Sequence, residues 1–245
     1  FHEAVTWSFI SEKEATLFGG GADELKLENP IVSDLTDMRP SLLPGLLAAV
    51  GRNANRGFAD VALFEVGQIF KNDNVDGQLN YATGVRAGTA KFAQVGRDWQ
   101  GKANKVDVFD AKADALAALD ALGMDVNNIQ VVAEPADWAH PGRAGRLQLG
   151  PKMILGWFGE LHPALISELD LTGPVVAFEL NLDAIPSPRK KASKAKGALD
   201  ISDLQPVRRD FAFLADRNVE AGKFVKAANS ADKKLIQSTS IFDVF

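Results

Sequence analysis

"VALFEVGQIFKNDN", residues 61–74, decides how the chain is read. Val61, Leu63 and Glu65 alternate with Ala62, Phe64 and Val66, the period-two pattern of a strand. Gly67 then breaks the side-chain wall, Ile69 and Phe70 resume it, and Lys71 leads into the polar turn Asn72-Asp73-Asn74. The strand points a charge at something. It belongs either to an active site or to the shell of one.

Bulk properties narrow the choice. A chain of 245 residues accommodates one large domain, or a medium one with a small companion. An apolar fraction of 46% beside 24% charged residues is ordinary for a globular protein. A net charge of −5 argues against wholesale binding to nucleic acid or anionic membrane, although a local basic stretch can still bind RNA. With no cysteine, disulfides, thiolate nucleophiles and cysteine metal sites are excluded. No apolar run approaches 18 residues and no signal peptide opens the chain, so the expected location is cytoplasmic, with no membrane partner. Both ends fall inside strand-like patterns, as expected of a piece of a longer protein.

Outward from residues 61–74 the pattern is mixed. "EAVTWSFI" sets Val5, Trp7 and Phe9 against Ala4, Thr6 and Ser8 and predicts a half-buried strand. "SEKE" at 11–14 is a capping box that starts a short helix, and Gly19-Gly20-Gly21 ends it. That glycine triplet lacks the lysine that a phosphate loop requires. "SLLPGLLAAVGRNANRG" carries Leu43, Leu46, Leu47 and Val50 on one helical stripe, with Gly57 as the stop. "DAKADALAALDALG" predicts a helix capped by Asp110, with Leu116, Leu119 and Leu122 inward and Gly123 as the stop. Strand-like runs occupy 61–70, 80–87, 128–133, 145–149, 153–159 and 174–182. Strands that outnumber helices in this order predict an α+β domain on a mainly antiparallel sheet.

The composition then shifts. "AIPSPRKKASKAKGALDISD", 184–203, carries Arg189, Lys190, Lys191, Lys194 and Lys196 before its first acid and reads as a linker that can also neutralise RNA phosphates. Beyond it, "VRRDFAFLAD" reads as a strand, "VEAGKFVKAANSA" as an amphipathic helix through Val219, Phe224, Val225 and Ala228, and "KLIQSTSIFDVF" as a second strand. A β-α-β of this size does not bury a full core alone.

At this point a resemblance enters. "NPIVSDLTDMRPSLLPGLLAAVGRNANRG", "LFEVGQIF", "VFDAKADALAAL", "HPGRAGRLQLG", "GWFGELHPALISELDL" and "VVAFELNLDAI" occur in an order that resembles the beta subunits of phenylalanyl-tRNA synthetases. The resemblance implies a class II synthetase-like, noncatalytic core over 1–185 and a basic linker over 186–203. It further implies the first half of a ferredoxin-like anticodon-binding domain over 204–245. The implied partners are the alpha subunit, which carries the synthetic site, a second beta subunit, and tRNA(Phe). ATP and magnesium are used by the parent enzyme, and no cofactor is expected in this chain. The alternatives from other classes are an independent amino-acid-activating enzyme and a free-standing RNA-binding module.

The resemblance also bears on the question posed by residues 61–74. Class II sites hold ATP with arginines, because a planar guanidinium makes paired hydrogen bonds to phosphate. The corresponding positions here are Lys71 and, in "FELNLDAI", Asp183, a point charge and an acid. Both read as degenerate, so no catalytic residue is assigned. Glu65, Glu160 and Glu179 are a weak magnesium set, and three dispersed histidines make no zinc site. His140 and His162, each followed by proline, read as turn or helix-start residues. Arg39 reads as an ion-pair partner of Asp34 and Asp37, and Arg143 and Arg146 as phosphate or strand-entry residues. Arg208, Arg209 and Phe211, with Phe213 as an alternative, are the candidate tRNA contacts. Exposed apolar surface is expected at Val5, Trp7 and Leu42, through which the isolated chain can self-associate.

Overall fold

The computed structural model describes residues 1–90, 104–187 and 203–244. By contacts the chain divides into two units, Phe1–Lys190 and Lys191–Phe245. In chain order the first holds β1 (His2–Glu3), β2 (Phe9–Ile10), α1 (Glu12–Leu17), β3 (Asp37–Met38), α2 (Leu43–Asn55), β4 (Val61–Phe70) and β5 (Gln78–Ala87). There follow α3 (Val108–Ala121), β6 (Gln130–Val132), β7 (Ala139–Leu149), β8 (Met153–Leu161), α4 (Pro163–Glu168) and β9 (Val175–Asn181). Seven strands form one sheet in the order β1-β4-β5-β9-β8-β7-β6, and β2 and β3 form a small second sheet. Among the described residues only β1 and β4 pair in parallel; every other ladder is antiparallel.

The strand period sorts the residues of β9 onto two faces. Val175 and Ala177 pack with Val61, Val85 and the α2 stripe Leu43, Leu46, Leu47 and Val50. Val176, Phe178 and Leu180 pack with Ala111, Ala115 and Leu119 of α3. Helices therefore cover both faces of the central sheet, which explains why Val175 to Phe178 run apolar without alternation. The sequence pattern locates α2 correctly, and Gly57 closes it at φ +89°, a left-handed conformation that favours glycine.

The structure corrects several expectations. Segment 4–8 forms no strand; its backbone bonds run only from Ala4 N to Phe64 O and from Arg39 N to Ser8 O, because the chain around Arg39 occupies the next part of β4. Its side chains Val5 and Trp7 are 90% and 70% exposed, whereas Leu42 is fully buried beside Ile69 and Tyr81. The cap of α3 is Asp107; Asp110 instead completes the capping box from the third helical position. Moving the start shifts the inward stripe to Ala111, Ala115 and Leu119, and leaves Leu122 46% exposed. His162 does cap α4, but His140 lies within β7, where the register to β8 shifts between Ala139 and Ala144.

In the second unit only α5 (Ala221–Ala231) forms among the described residues. The segments expected as strands at 207–216 and 234–245 make no ladder there. In a split β-α-β the two strands are not neighbours, since another strand lies between them. Among the described residues no strand lies beside either segment. The basic run 189–196 lies outside the described residues.

Leu46 is completely buried. Leu46→Ala is expected to cost about 2–5 kcal/mol of unfolding free energy, by denaturant titration. Leu122→Ala is expected to cost under about 0.5 kcal/mol, because its side chain is half in water already.

Candidate functional site

Glu65, Thr83, Glu179, Trp157 and Arg146 stand abreast on β4, β5, β9, β8 and β7. Residues directly opposite in a ladder share a face, so this row lies on the α2 side, between the apolar rows Leu63–Val85–Ala177 and Ile69–Leu79. Glu65, Thr83 and Glu179 are all buried; the two carboxylates are matched by donors, whereas Thr83 Oγ1 has no hydrogen-bond partner among the described residues.

Glu65 finds its donors in the loop after β3. Arg39 Nη1 donates to Glu65 Oε1 at 2.8 Å and to Thr6 Oγ1 at 3.0 Å, and Thr6 Oγ1 donates to Glu65 Oε2 at 2.6 Å. Arg39 Nε donates to Gln68 O at 2.9 Å, and Phe70 N donates to Arg39 O at 3.0 Å. The guanidinium thus stands in for a missing strand along β4. A Cβ on Gly67 would sit 2.7 Å from Arg39 Nη2, so the break in the side-chain wall is the space this group needs. Arg39 is a structural ion-pair residue, as its neighbourhood implies, but its partner is Glu65 rather than Asp34 or Asp37. The guanidinium places Nη1 on the Glu65 carboxylate and Nε on the Gln68 carbonyl, so β4 satisfies two of its donors at once.

Glu179 is held differently. Ser41 Oγ donates to Glu179 Oε1 at 2.5 Å, Trp138 Nε1 donates to Oε2 at 2.7 Å, and Ser41 Oγ accepts from Leu43 N at 3.0 Å in the first turn of α2. Burial pushes the carboxyl above its usual range, while these two bonds and the positive charge of Lys71 oppose the shift. Nearby, burial first, then the charges of Glu179 and Asp183, push the Tyr81 hydroxyl up to about 12. Ser41, Trp138 and Thr6 are absent from the sequence-derived set. Only Ser41, two residues before the helix, carries a recognisable signal.

Lys71 is exposed at the end of β4 and donates from Nζ to Pro40 O at 3.1 Å. Asp183 lies in the turn Leu182–Ala184, where its carboxylate accepts from Asn80 Nδ2 at 3.0 Å and Asn80 N at 2.7 Å. These bonds hold it below the usual carboxylate range. Glu160 lies on the opposite face from Glu65 and Glu179, paired with Arg143 at 2.7 Å, so the sheet separates it from the other two glutamates. Among the described residues no cluster of three histidine, cysteine or acidic side chains offers a metal site. Arg146 pairs with Glu134 and donates to Gln148 Oε1. In the second unit Arg208, Arg209, Phe211 and Phe213 are all exposed.

Neither side chain of the Arg39–Glu65 pair is more than 5% exposed. Arg39→Ala leaves a buried carboxylate uncompensated, and calorimetric unfolding is expected to register a loss of about 3–5 kcal/mol. The double variant R39M/E65L is expected to recover most of it, since apolar replacement of both charges removes the desolvation cost.

The comparisons with known proteins agree with this architecture. The family model described as "Phenylalanyl tRNA synthetase beta chain CLM domain" matches residues 1–182, and "Ferredoxin-fold anticodon binding domain" matches 202–245. The chain is 56% identical over 243 residues to the phenylalanine–tRNA ligase beta subunit of Bartonella henselae and 58% identical to that of Brucella suis. Each match covers 99% of this chain and 30% of the relative, so the chain spans about three-tenths of their length. Among solved structures, two of a pyrrolysyl-tRNA synthetase from Desulfitobacterium hafniense superpose with TM-scores of 0.54 and 0.53 at 15% identity. They cover 75% of this chain and 59% and 61% of theirs, a likeness of fold. No helix among the described residues is long and apolar enough to cross a membrane. The chain belongs to the phenylalanyl-tRNA synthetase beta-chain family.

Proposed function

We propose that this chain is a noncatalytic structural and tRNA-positioning part of a phenylalanine–tRNA ligase, built on a class II synthetase fold. It supports ATP-dependent attachment of phenylalanine to tRNA(Phe) within a cytoplasmic alpha2-beta2 enzyme. The alpha subunit, a second beta subunit and tRNA(Phe) are its partners, and ATP and magnesium act in the parent enzyme. The observation that carries the reading is the state of the two positions where a class II site needs arginine. Lys71 is tied to the Pro40 carbonyl, and Asp183 is an acid tied to Asn80. A phosphate entering there would meet one committed ammonium and a repelling carboxylate.

The tRNA part of the proposal draws on charge. Phe1–Lys190 has 17 basic against 25 acidic residues, a net −8, whereas Lys191–Phe245 has ten against seven, a net +3. A polyanion is repelled by the first unit and attracted by the second. Arg208, Arg209 and Phe211 lie in the attractive one.

Two measurements test the proposal. Isothermal calorimetry with magnesium-ATP, alone and with phenylalanine, is expected to give no heat of micromolar binding, and the chain is expected to show no ATP–pyrophosphate exchange. Micromolar affinity or exchange would establish an independent activating enzyme instead. In gel-shift titrations at matched salt, the chain is expected to bind tRNA(Phe) much more weakly than the complete beta subunit within its enzyme. Equal affinity would identify a self-sufficient RNA binder.

A further inference from the structure

Thr83 stands in the middle of the buried polar row, directly opposite Glu65 on one side and Glu179 on the other. It is completely buried, yet its Oγ1 has no hydrogen-bond partner among the described residues. A hydroxyl taken out of water without a partner is costly, and native structures hold few such atoms.

Its neighbours have acceptor capacity to spare. Glu65 receives one hydrogen bond on each oxygen, from Arg39 and Thr6. Glu179 likewise receives one on each oxygen, from Ser41 and Trp138. An ionised carboxylate offers about four lone-pair sites, so each of the two is half used. Both carboxylates bond to donors that lie off the sheet, and the Thr83 hydroxyl bonds to neither. Polar groups that face one another and just miss a direct bond are the places where a water bridges.

The helix α2 closes the site from above. Tyr81 and Val85 flank Thr83 on the same face of β5. Tyr81 packs with Leu42, and Val85 belongs to the cluster of Leu43 and Leu46. The start of α2 therefore passes over Thr83 and shuts it off from solvent.

We propose that one internal water molecule is bound between Thr83, Glu65 and Glu179 as a fixed part of the fold. It accepts from Thr83 Oγ1 and donates one hydrogen bond to each carboxylate, about three bonds being usual for a buried water. The same partners disfavour other small ligands. An anion would face two carboxylates, and an apolar group would leave the hydroxyl unpaired. Two carboxylates, one already paired with Arg39, are too few for a metal ion. The water joins the Arg39–Glu65 and Ser41–Glu179 contacts into one polar chain across β4, β5 and β9.

The test is a crystal structure of the whole chain at a resolution that shows buried waters, together with thermal unfolding. Density for a single water is expected within hydrogen-bond distance of Thr83 Oγ1 and of one oxygen on each glutamate. Thr83→Val keeps the shape and removes the donor. It is expected to lose that density and to melt about 2–4 °C lower, since a bridge has been broken. Thr83→Ser keeps the hydroxyl and is expected to keep the water. An unchanged or raised melting temperature in Thr83→Val would overturn the proposal, because relieving a truly unpaired hydroxyl stabilises. The parent structure decides the matter independently of any variant. No density beside Thr83 overturns the water site, and so does a peak surrounded by six or more oxygens at about 2.4 Å, which marks a metal ion.

Discussion

Arg39 and Glu65 meet at 2.8 Å inside the protein, and the neighbouring elements are arranged around their contact. Two charges out of water are tolerated only where geometry is tight and the remaining hydrogen-bonding positions are filled. Thr6 fills one, the Gln68 carbonyl another, and Gly67 leaves the gap. The pair fixes the loop entering α2 to β4, beyond the two residues that β1 covers. Through Thr6 it also holds an N-terminal segment that makes almost no ladder of its own. The pair is weak evidence for high stability. Its role is to select one arrangement of three chain segments that otherwise share little.

A second polar junction does for the centre of the sheet what Arg39 does for its edge. Glu179 on β9 joins Trp138 and Ser41, and Ser41 also receives an amide from the first turn of α2. The positive end of α2 and the charge of Lys71 favour an anion there, against the pull of desolvation. Sheet and helix are thus registered by a short hydrogen-bonded chain where an apolar contact would allow sliding.

How much of this was legible follows from the range of each interaction. Strands β4, β5 and β8 and the inward stripe of α2 follow from local periodicity, and β9 from a short continuous apolar run, signals the chain carries in windows of ten residues or so. The α3 stripe was misassigned because Asp107 and Asp110 are both good caps, and the choice moves the helix by three residues. Arg39 was legible as an ion-pair residue but not its partner, since Glu65 lies 26 positions away and Asp37 only two. The contact of Trp138 with Glu179 had no local signature at all. The strands expected at 207–216 and 234–245 have fitting patterns. A ladder, however, depends on a neighbour that pattern does not reveal.

The strand order carries a consequence for how the sheet is assembled. From β6 to β8, and in the β4–β5 pair, neighbours in space are neighbours in sequence, joined by short turns. The β5–β9 seam instead brings Ala87 to Val175 across a stretch of 88 residues. Closing a stretch of that length costs roughly 3 kcal/mol more in chain entropy than closing a four-residue turn, from logarithmic scaling with length. No gain is returned until both strands are in register. Apart from the two-residue β1, which joins β4 from far along the chain, the sheet is in this sense two locally closed halves with one costly joint, and Glu179, Thr83 and Tyr81 all stand on that joint.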